Sequence, residues 1–355
     1  MNFILSESQL RLEQRLFAQI KQHIAAGGGY LLLLVPAQAS FLMERRIVEQ
    51  CSSAGFMSVE VMSFEKLAER ILKTAGGRSD TVMDGVGLAM LVKKAMKSLG
   101  SLRSIDSDQR DIHQKAAELI SAIKAENISP AALRTIGEAQ RPSTRDKLLD
   151  LADLYEYIAA HAASPDLRDM EQRAIERVGR ASFLQGAKIA VYGFDTFTAL
   201  RIDMLRALLS LCASMDIYLE LEEENPLYAN QVFFLRQLEE MAAGLREPVR
   251  KTILPAGAFS SPELGHLFQC VFAYGGHTFQ GPAPAIRIGR AATRQEELVW
   301  VAEQILRLMA QGVRPREIGV MSGQPAAYEN ELRDVFARAG IPYFYDGKRS
   351  LGESR

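Results

Sequence analysis

Leu31-Leu32-Leu33-Leu34-Val35 is an unbroken apolar run, closed in front by Gly27-Gly28-Gly29 and behind by Pro36. It is too short to span a membrane, and it does not alternate, so neither face of it is meant for water. A run of this kind fits a strand inside a parallel sheet, where helices cover both faces. The flanking sequence supplies the helices. Residues 2–5 read as a short strand. Residues 8–26 bring Leu10, Leu12, Leu16, Phe17, Ile20 and Ile24 to helical spacing. Residues 40–54 read as a helix and 57–62 as another strand, after which Ser63 can cap a helix carrying Phe64, Leu67, Ile71 and Leu72. Three strand–helix alternations in succession predict an α/β domain built on a parallel sheet.

The texture then changes. Residues 81–179 show helical periods alone, at 88–99, 108–126, 130–138 and 143–162. Strands return at 188–192 and 216–221, with helices at 200–213 and 230–244. Residues 255–284 are rich in Gly, Pro and Ser and read as a linker. A second α/β unit is expected beyond it, with strands at 286–289, 318–321 and 342–345 and helices at 293–311 and 328–339. Two or three strands do not complete such a domain, so the chain is expected to stop near a domain's beginning.

Charge narrows the function. Lys and Arg total 42 against 43 Asp and Glu, a formal net charge of −1, which excludes a uniformly basic nucleic-acid binder; any strand-binding surface must be a local patch. Cys51, Cys212 and Cys270 are far apart, and the five histidines share no ligand spacing, so neither disulfides nor a metal centre is expected. The opening MNFILSESQL is too polar for a secretory signal, and no run reaches membrane-spanning length; a reduced cytoplasmic compartment is the expectation.

Four segments, in one order, resemble the AddB/RexB subunits of bacterial ATP-dependent helicase–nucleases. "LLLVPAQASFLMERRIVE" resembles V-P-x-Q-x-[ST]-F-x-x-E, and "VEVMSFEKLAERIL" resembles V-x-S-F-x-[RK]-L-A. "IAVYGFDTFTALR" resembles V-x-G-F-x-x-F-T-x-x-E. The stretch from "RQEELVWVAEQI" through "REIGVM" to "IPYFYD" resembles the opening of the family's second motor-like domain. The resemblance implies a RecA-like (P-loop NTPase-like) parallel sheet domain in residues 1–79 and 180–255, split by an all-helical insertion at 80–179. A linker at 256–284 and the start of a second RecA-like domain at 285–355 would follow. It implies a place in DNA repair and recombination, a helicase–nuclease A subunit (AddA/RexA-like) as partner, and single-stranded DNA as ligand, scanned across the motor-like domains for a regulatory sequence (Chi). Nuclease motifs and a cysteine cluster lie, in the family, far beyond residue 355.

The departures from the family pattern carry chemistry of their own. The family opens on a phosphate loop, in which backbone N–H groups and a Lys hold phosphates and a Thr hydroxyl holds Mg²⁺. Here the slot reads "FILSESQLRLEQR", without glycine, and places Leu12 and Glu13 where Lys and Thr should stand. No G-x-x-x-x-G-K-[ST] occurs anywhere in the chain. ATP binding is therefore expected to be lost, and no cofactor is expected. The strand at 188–192 leads to a single acid, Asp195, where an ATPase needs an Asp-Glu pair. The acidic run 220–224 reads as an exposed loop after a strand.

The resemblance puts the DNA-reading turns at Gln38, Ser40 and Phe41, and at Phe64 and Lys66. Gln pairs with base edges, Ser donates or accepts, Phe stacks on an unpaired base, and Lys meets phosphate. Ser40 is equally an N-cap for the helix beginning near Phe41, and Phe64 is equally a core residue one turn from Leu67; the sequence leaves both open. Glu69 stands where the family has an aromatic residue, and its carboxylate repels a DNA backbone. Two other readings stay open: an active superfamily 1 ATPase with its phosphate loop elsewhere, and a protein–protein scaffold without a DNA surface.

Overall fold

The computed structural model describes residues 1–51, 58–77, 81–100, 102–109, 111–257, 259–271 and 277–345. They form two units, Met1–Gly257 and Ala258–Arg355. The first opens with β1 (Asn2–Ser6), α1 (Gln9–Ala25), β2 (Leu31–Leu34), α2 (Ser40–Cys51), β3 (Val59–Met62) and α3 (Phe64–Ala75). Five helices follow: α4 (Gly85–Leu99), α5 (Ile112–Ala125), α6 (Pro130–Glu138), α7 (Pro142–His161) and α8 (Leu167–Arg177). The chain then alternates again, through β4 (Lys188–Val191), α9 (Ala199–Leu209), β5 (Ser214–Glu220), α10 (Ala229–Gly244) and β6 (Arg250–Ile253).

The six strands make one sheet in the order β3-β2-β4-β5-β1-β6, with every pairing parallel. β2 sits between β3 and β4, with Leu31 opposite Val59 on one side and Lys188 on the other. Its leucines are buried on both faces because each face has its own helical layer. Leu12, Leu16 and Ile20 of α1 and Met43 and Ile47 of α2 cover the face that carries Leu31, Leu33 and Val35. Side chains of α3, α8, α9 and α10 cover the opposite face, with Leu32, Leu34, Phe64 and Phe194 among them.

Helices α4 to α7 bury a core of their own, built on Leu88, Val92, Ile120, Leu151, Leu154 and Ile158. Two buried polar devices fix it. Asp150, fully buried, accepts from the backbone N–H groups of Arg103, Ser104 and Ile105 and from the Arg103 guanidinium, which ties the loop before α5 to α7. Lys124 of α5 donates to Asp166 at 2.7 Å and Asp169 at 2.8 Å, at the start of α8. Asp166 is also the N-cap of α8 and forms a capping box with Asp169. Burial alone would lower the Lys124 pKa; the two carboxylates outweigh it and hold the ammonium above its usual value.

The second unit packs α12 (Arg294–Ala310) against α13 (Glu329–Ala339) through Leu298, Ala302, Ile305, Val335 and Phe336, and also contains α11 (Pro262–Cys270). Among the described residues no helix is long and apolar enough to cross a membrane.

Three expectations are corrected. β6 was not expected, since Arg250-Lys251-Thr252-Ile253 has no apolar run; it is an edge strand pairing with β1 alone, and Ile253 stays mostly exposed. The stretch expected as a linker contains α11, started by Ser261 as N-cap and Pro262 at the first turn. The strands expected at 286–289, 318–321 and 342–345 are not formed among the described residues. A strand is completed by a ladder on its neighbour, and these segments have none; Ile288, Met321 and Phe344 remain 93%, 96% and 89% exposed. Of the helix expected at 40–54, residues 52–54 lie outside the described residues, as do 57 from the strand expected at 57–62 and 346–355 at the chain's end.

Candidate functional site

Because all six strands are parallel, their carboxyl ends share one edge of the sheet, the edge where ligands bind in open α/β folds. Its two ends differ in chemistry.

Over β1 and β5 the edge is acidic and closed. Only Glu7 and Ser8 separate β1 from α1, and the Ser6 hydroxyl already accepts from the Ser8 N–H at 3.1 Å. A connection of two residues has no arc of free backbone N–H groups with which to cradle a phosphate. Leu12 is buried in the core beneath the helix, and Glu13 pairs with Arg46 of α2 at 2.7 Å. Burial, followed by contact with Glu222, pushes the Glu7 carboxyl above its usual range, and burial with the charge of Asp195 does the same to Glu220. Asp195 itself stands exposed in the turn after β4. Among the described residues no group of three His, Cys, Asp or Glu side chains is placed to hold a metal ion.

Over β3, β2 and β4 the edge is different. After Pro36 a short 3-10 turn, Ala37–Ala39, carries Gln38 into solvent, and α2 begins immediately behind it. Gly193, at φ +80°, makes the turn after β4; a Cβ there would lie 3.4 Å from the Pro36 ring, so the two turns press together over the end of β2. Phe41, in the first turn of α2, is 77% exposed. Across the edge, Ser63 caps α3 by accepting from the Lys66 N–H, and the Lys66 side chain is exposed.

The five residues singled out in the sequence therefore divide. Gln38, Phe41 and Lys66 reach solvent on the edge. Ser40 and Phe64 do not; for Phe64, whose two readings the sequence left open, burial is the outcome, and Ser40 is buried without serving as a cap. Ser40 is 3% exposed; it is already the first helical residue of α2, and its hydroxyl neither caps the helix nor finds another partner. Phe64 is 2% exposed, with its ring in edge contact with Phe194 at 5.3 Å. The hydrophobic cluster under α3 wins over stacking.

Sequence reasoning missed Arg201, in the first turn of α9. Its guanidinium lies over the rings of Phe64 at 5.4 Å and Phe194 at 5.5 Å and pairs with Glu65 at 3.4 Å. The signal was present, a basic residue at the last position of "FTALR", but its place beside Phe64 depends on β2 lying between β3 and β4.

The family model described as "ADDB, N-terminal" matches residues 3–267 of the chain. The chain belongs to the AddB N-terminal family. It is similar to proteins named as the B subunit of an ATP-dependent helicase/deoxyribonuclease. The one from Clostridium perfringens (strain SM101 / Type A) is 26% identical over 342 residues, covering 91% of this chain and 30% of the relative. The Bacillus cereus (strain ZK / E33L) protein is 27% identical over 348 residues, with the same shares covered. The Acetivibrio thermocellus protein is 28% identical over 353 residues, covering 93% of this chain and 30% of its own. The chain thus spans about a third of the length of these relatives. Within the AddB segments, Gln38, Phe41 and Lys66 stand at exposed positions of the first two motifs.

Proposed function

We propose that residues 1–355 are the strand-binding, non-catalytic part of a helicase–nuclease B subunit acting in DNA repair and recombination. In this reading Met1–Gly257 is a RecA-like domain carrying α4 to α7 as a helical insertion, and the unit from Ala258 begins a second RecA-like domain. The ligand is single-stranded DNA, the partner is a helicase–nuclease A subunit, and the setting is the cytoplasm. The relatives' name carries helicase and deoxyribonuclease activity; neither is assigned to these residues.

One observation carries the proposal: the ligand-binding edge of the sheet is divided. Its acidic half, around Glu7, Glu220 and Glu222, repels triphosphate. Its other half presents an amide, an aromatic ring and an ammonium, at Gln38, Phe41 and Lys66, to solvent. These groups fit a base edge, a base face and a phosphate. The formal net charge of −1 is compatible, because the cationic surface required is local.

Fluorescence anisotropy with a labelled oligothymidine is the test. Affinity is expected to fall steeply as salt rises, as phosphate contacts release their counterions. Phe41→Ala should leave stability within about 0.5 kcal/mol, since the ring is exposed. It should weaken strand binding by roughly 5- to 150-fold, the loss of one base–aromatic stack of about 1–3 kcal/mol. Unchanged affinity in that variant would remove Phe41 from the track. A chain that shows no salt-dependent binding is instead a protein–protein scaffold. Calorimetric titration with Mg-ATP is expected to give no heat of binding; a saturating isotherm at micromolar ATP would restore the chain to the active motors.

A further inference from the structure

The segment Val191 to Arg201 resembles the AddB pattern V-x-G-F-x-x-F-T-x-x-E at every stated position but the last, where the resemblance implies a glutamate and this chain has Arg201. The charge is reversed. Arg201 is the third residue of α9, and a cation in the first turn of a helix opposes the helix dipole. Helix stability is therefore no reason for arginine at this position.

Arg201 is only partly covered, although the charges of both Glu65 and Glu171 feel it. Phe64 and Phe194 form a platform under the guanidinium, and the side chain keeps 25% of its surface in solvent. Its one ion pair among the described residues, to Glu65, is 3.4 Å, longer than the 2.7–2.9 Å usual for a charge-assisted bond. Glu65 has other partners as well. Burial would raise that carboxyl, but hydrogen bonds from its own backbone N–H and from Ser63 at the start of α3, then the charges of Arg201 and Arg168, hold it below its usual range. Arg168 is taken by Glu171 at 2.7 Å. Arg201 thus keeps most of its five donors, on a planar fork suited to phosphate, next to a segment whose following residue is the exposed Lys66.

We infer that Arg201 is a phosphate-binding residue: with Lys66 it grips the backbone of a single DNA strand crossing the ends of β3, β2 and β4, opposite Gln38 and Phe41. The inference rests on the strand-binding reading and adds to it a residue that the family pattern does not supply.

The salt dependence of oligothymidine affinity tests it. Arg201→Gln is expected to reduce the slope of log affinity against log salt by about 0.7, the share of one phosphate on a single strand. Arg201→Lys keeps the charge and should keep the slope. It loses affinity at every salt concentration, because an ammonium neither stacks flat on the two rings nor forks onto a phosphate. Glu65→Gln, which removes the competing carboxylate, should tighten binding two- to threefold, roughly the worth of an exposed pair. It also serves as the second test should Arg201→Gln fail to fold. A slope unchanged in Arg201→Gln, or Glu65→Gln binding no tighter, overturns the assignment while strand binding stands. A wild-type chain that does not bind the oligonucleotide overturns both.

Discussion

Lys124→Met should lower the free energy of unfolding by about 3–5 kcal/mol, the cost of breaking a buried ion pair from one side. The Lys124 ammonium is 7% exposed and bonded to two carboxylates, and methionine fills the volume without replacing the charge. What remains is Asp166, also 7% exposed, facing Asp169 without a counter-ion. Neither can turn away, because their other oxygens accept the backbone N–H groups that start α8. α8 packs on the sheet, through Met170 and Ala174, while α5 belongs to the helical core, so the triad joins two cores. Urea unfolding followed by circular dichroism should accordingly show an earlier transition. Adding Asp169→Asn to the variant should recover part of the loss by relieving the repulsion. A midpoint shift worth less than about 1 kcal/mol would mean that water reaches the site and solvates the carboxylates.

Phe64→Ala should cost about 3–5 kcal/mol, as large-to-small changes at buried aromatic positions do. The ring touches Phe194 and carries Arg201, and its loss opens a cavity under the edge of the sheet. The same substitution at Phe41 should be nearly silent in stability and audible in DNA affinity. A chain in which Phe64→Ala is benign and Phe41→Ala destabilises would have the two aromatics in exchanged roles. Both variants are separable by one denaturant titration and one anisotropy titration.

The sheet was legible because its strands report their own burial. Leu31 to Val35 reads as a strand covered on both sides, and nothing else of that length and composition is tolerated there. The long helices around Val92, Ile120 and Leu154 were legible for the same reason at the other period. β6 was not, since an edge strand owes its existence to β1 rather than to its own side chains. The segments at 286–289, 318–321 and 342–345 show the converse: their apolar composition suits a strand, but pairing is a property of two segments and one alone makes no ladder.

Near the sheet edge, Gln38 in the turn after β2 and Lys66 in the first turn of α3 are exposed, as polar side chains beyond the end of a buried strand usually are. Ser40 and Phe64 each carried two meanings, and the choice was made by contacts no local pattern holds: the 3-10 turn Ala37–Ala39 that leads into α2 with Ser40 already helical, and the meeting of Phe64 with Phe194. Arg201 lies 136 positions from its carboxylate partner. Its neighbourhood exists only once the strands are ordered.

β1 pairs with β5 and β6, so Asn2 waits for Asp216 and Arg250. During translation the first of these six strands to leave the ribosome is among the last to find a neighbour. At about 5–20 residues per second the interval is roughly 10–40 s. Until then Phe3, Ile4 and Leu5 lack both of the strands that flank β1 in the sheet. The helices from α4 to α7 close on local contacts in that time, so the nascent protein holds a finished bundle beside an unfinished sheet. Late closure of the sheet around β1 follows from this strand order.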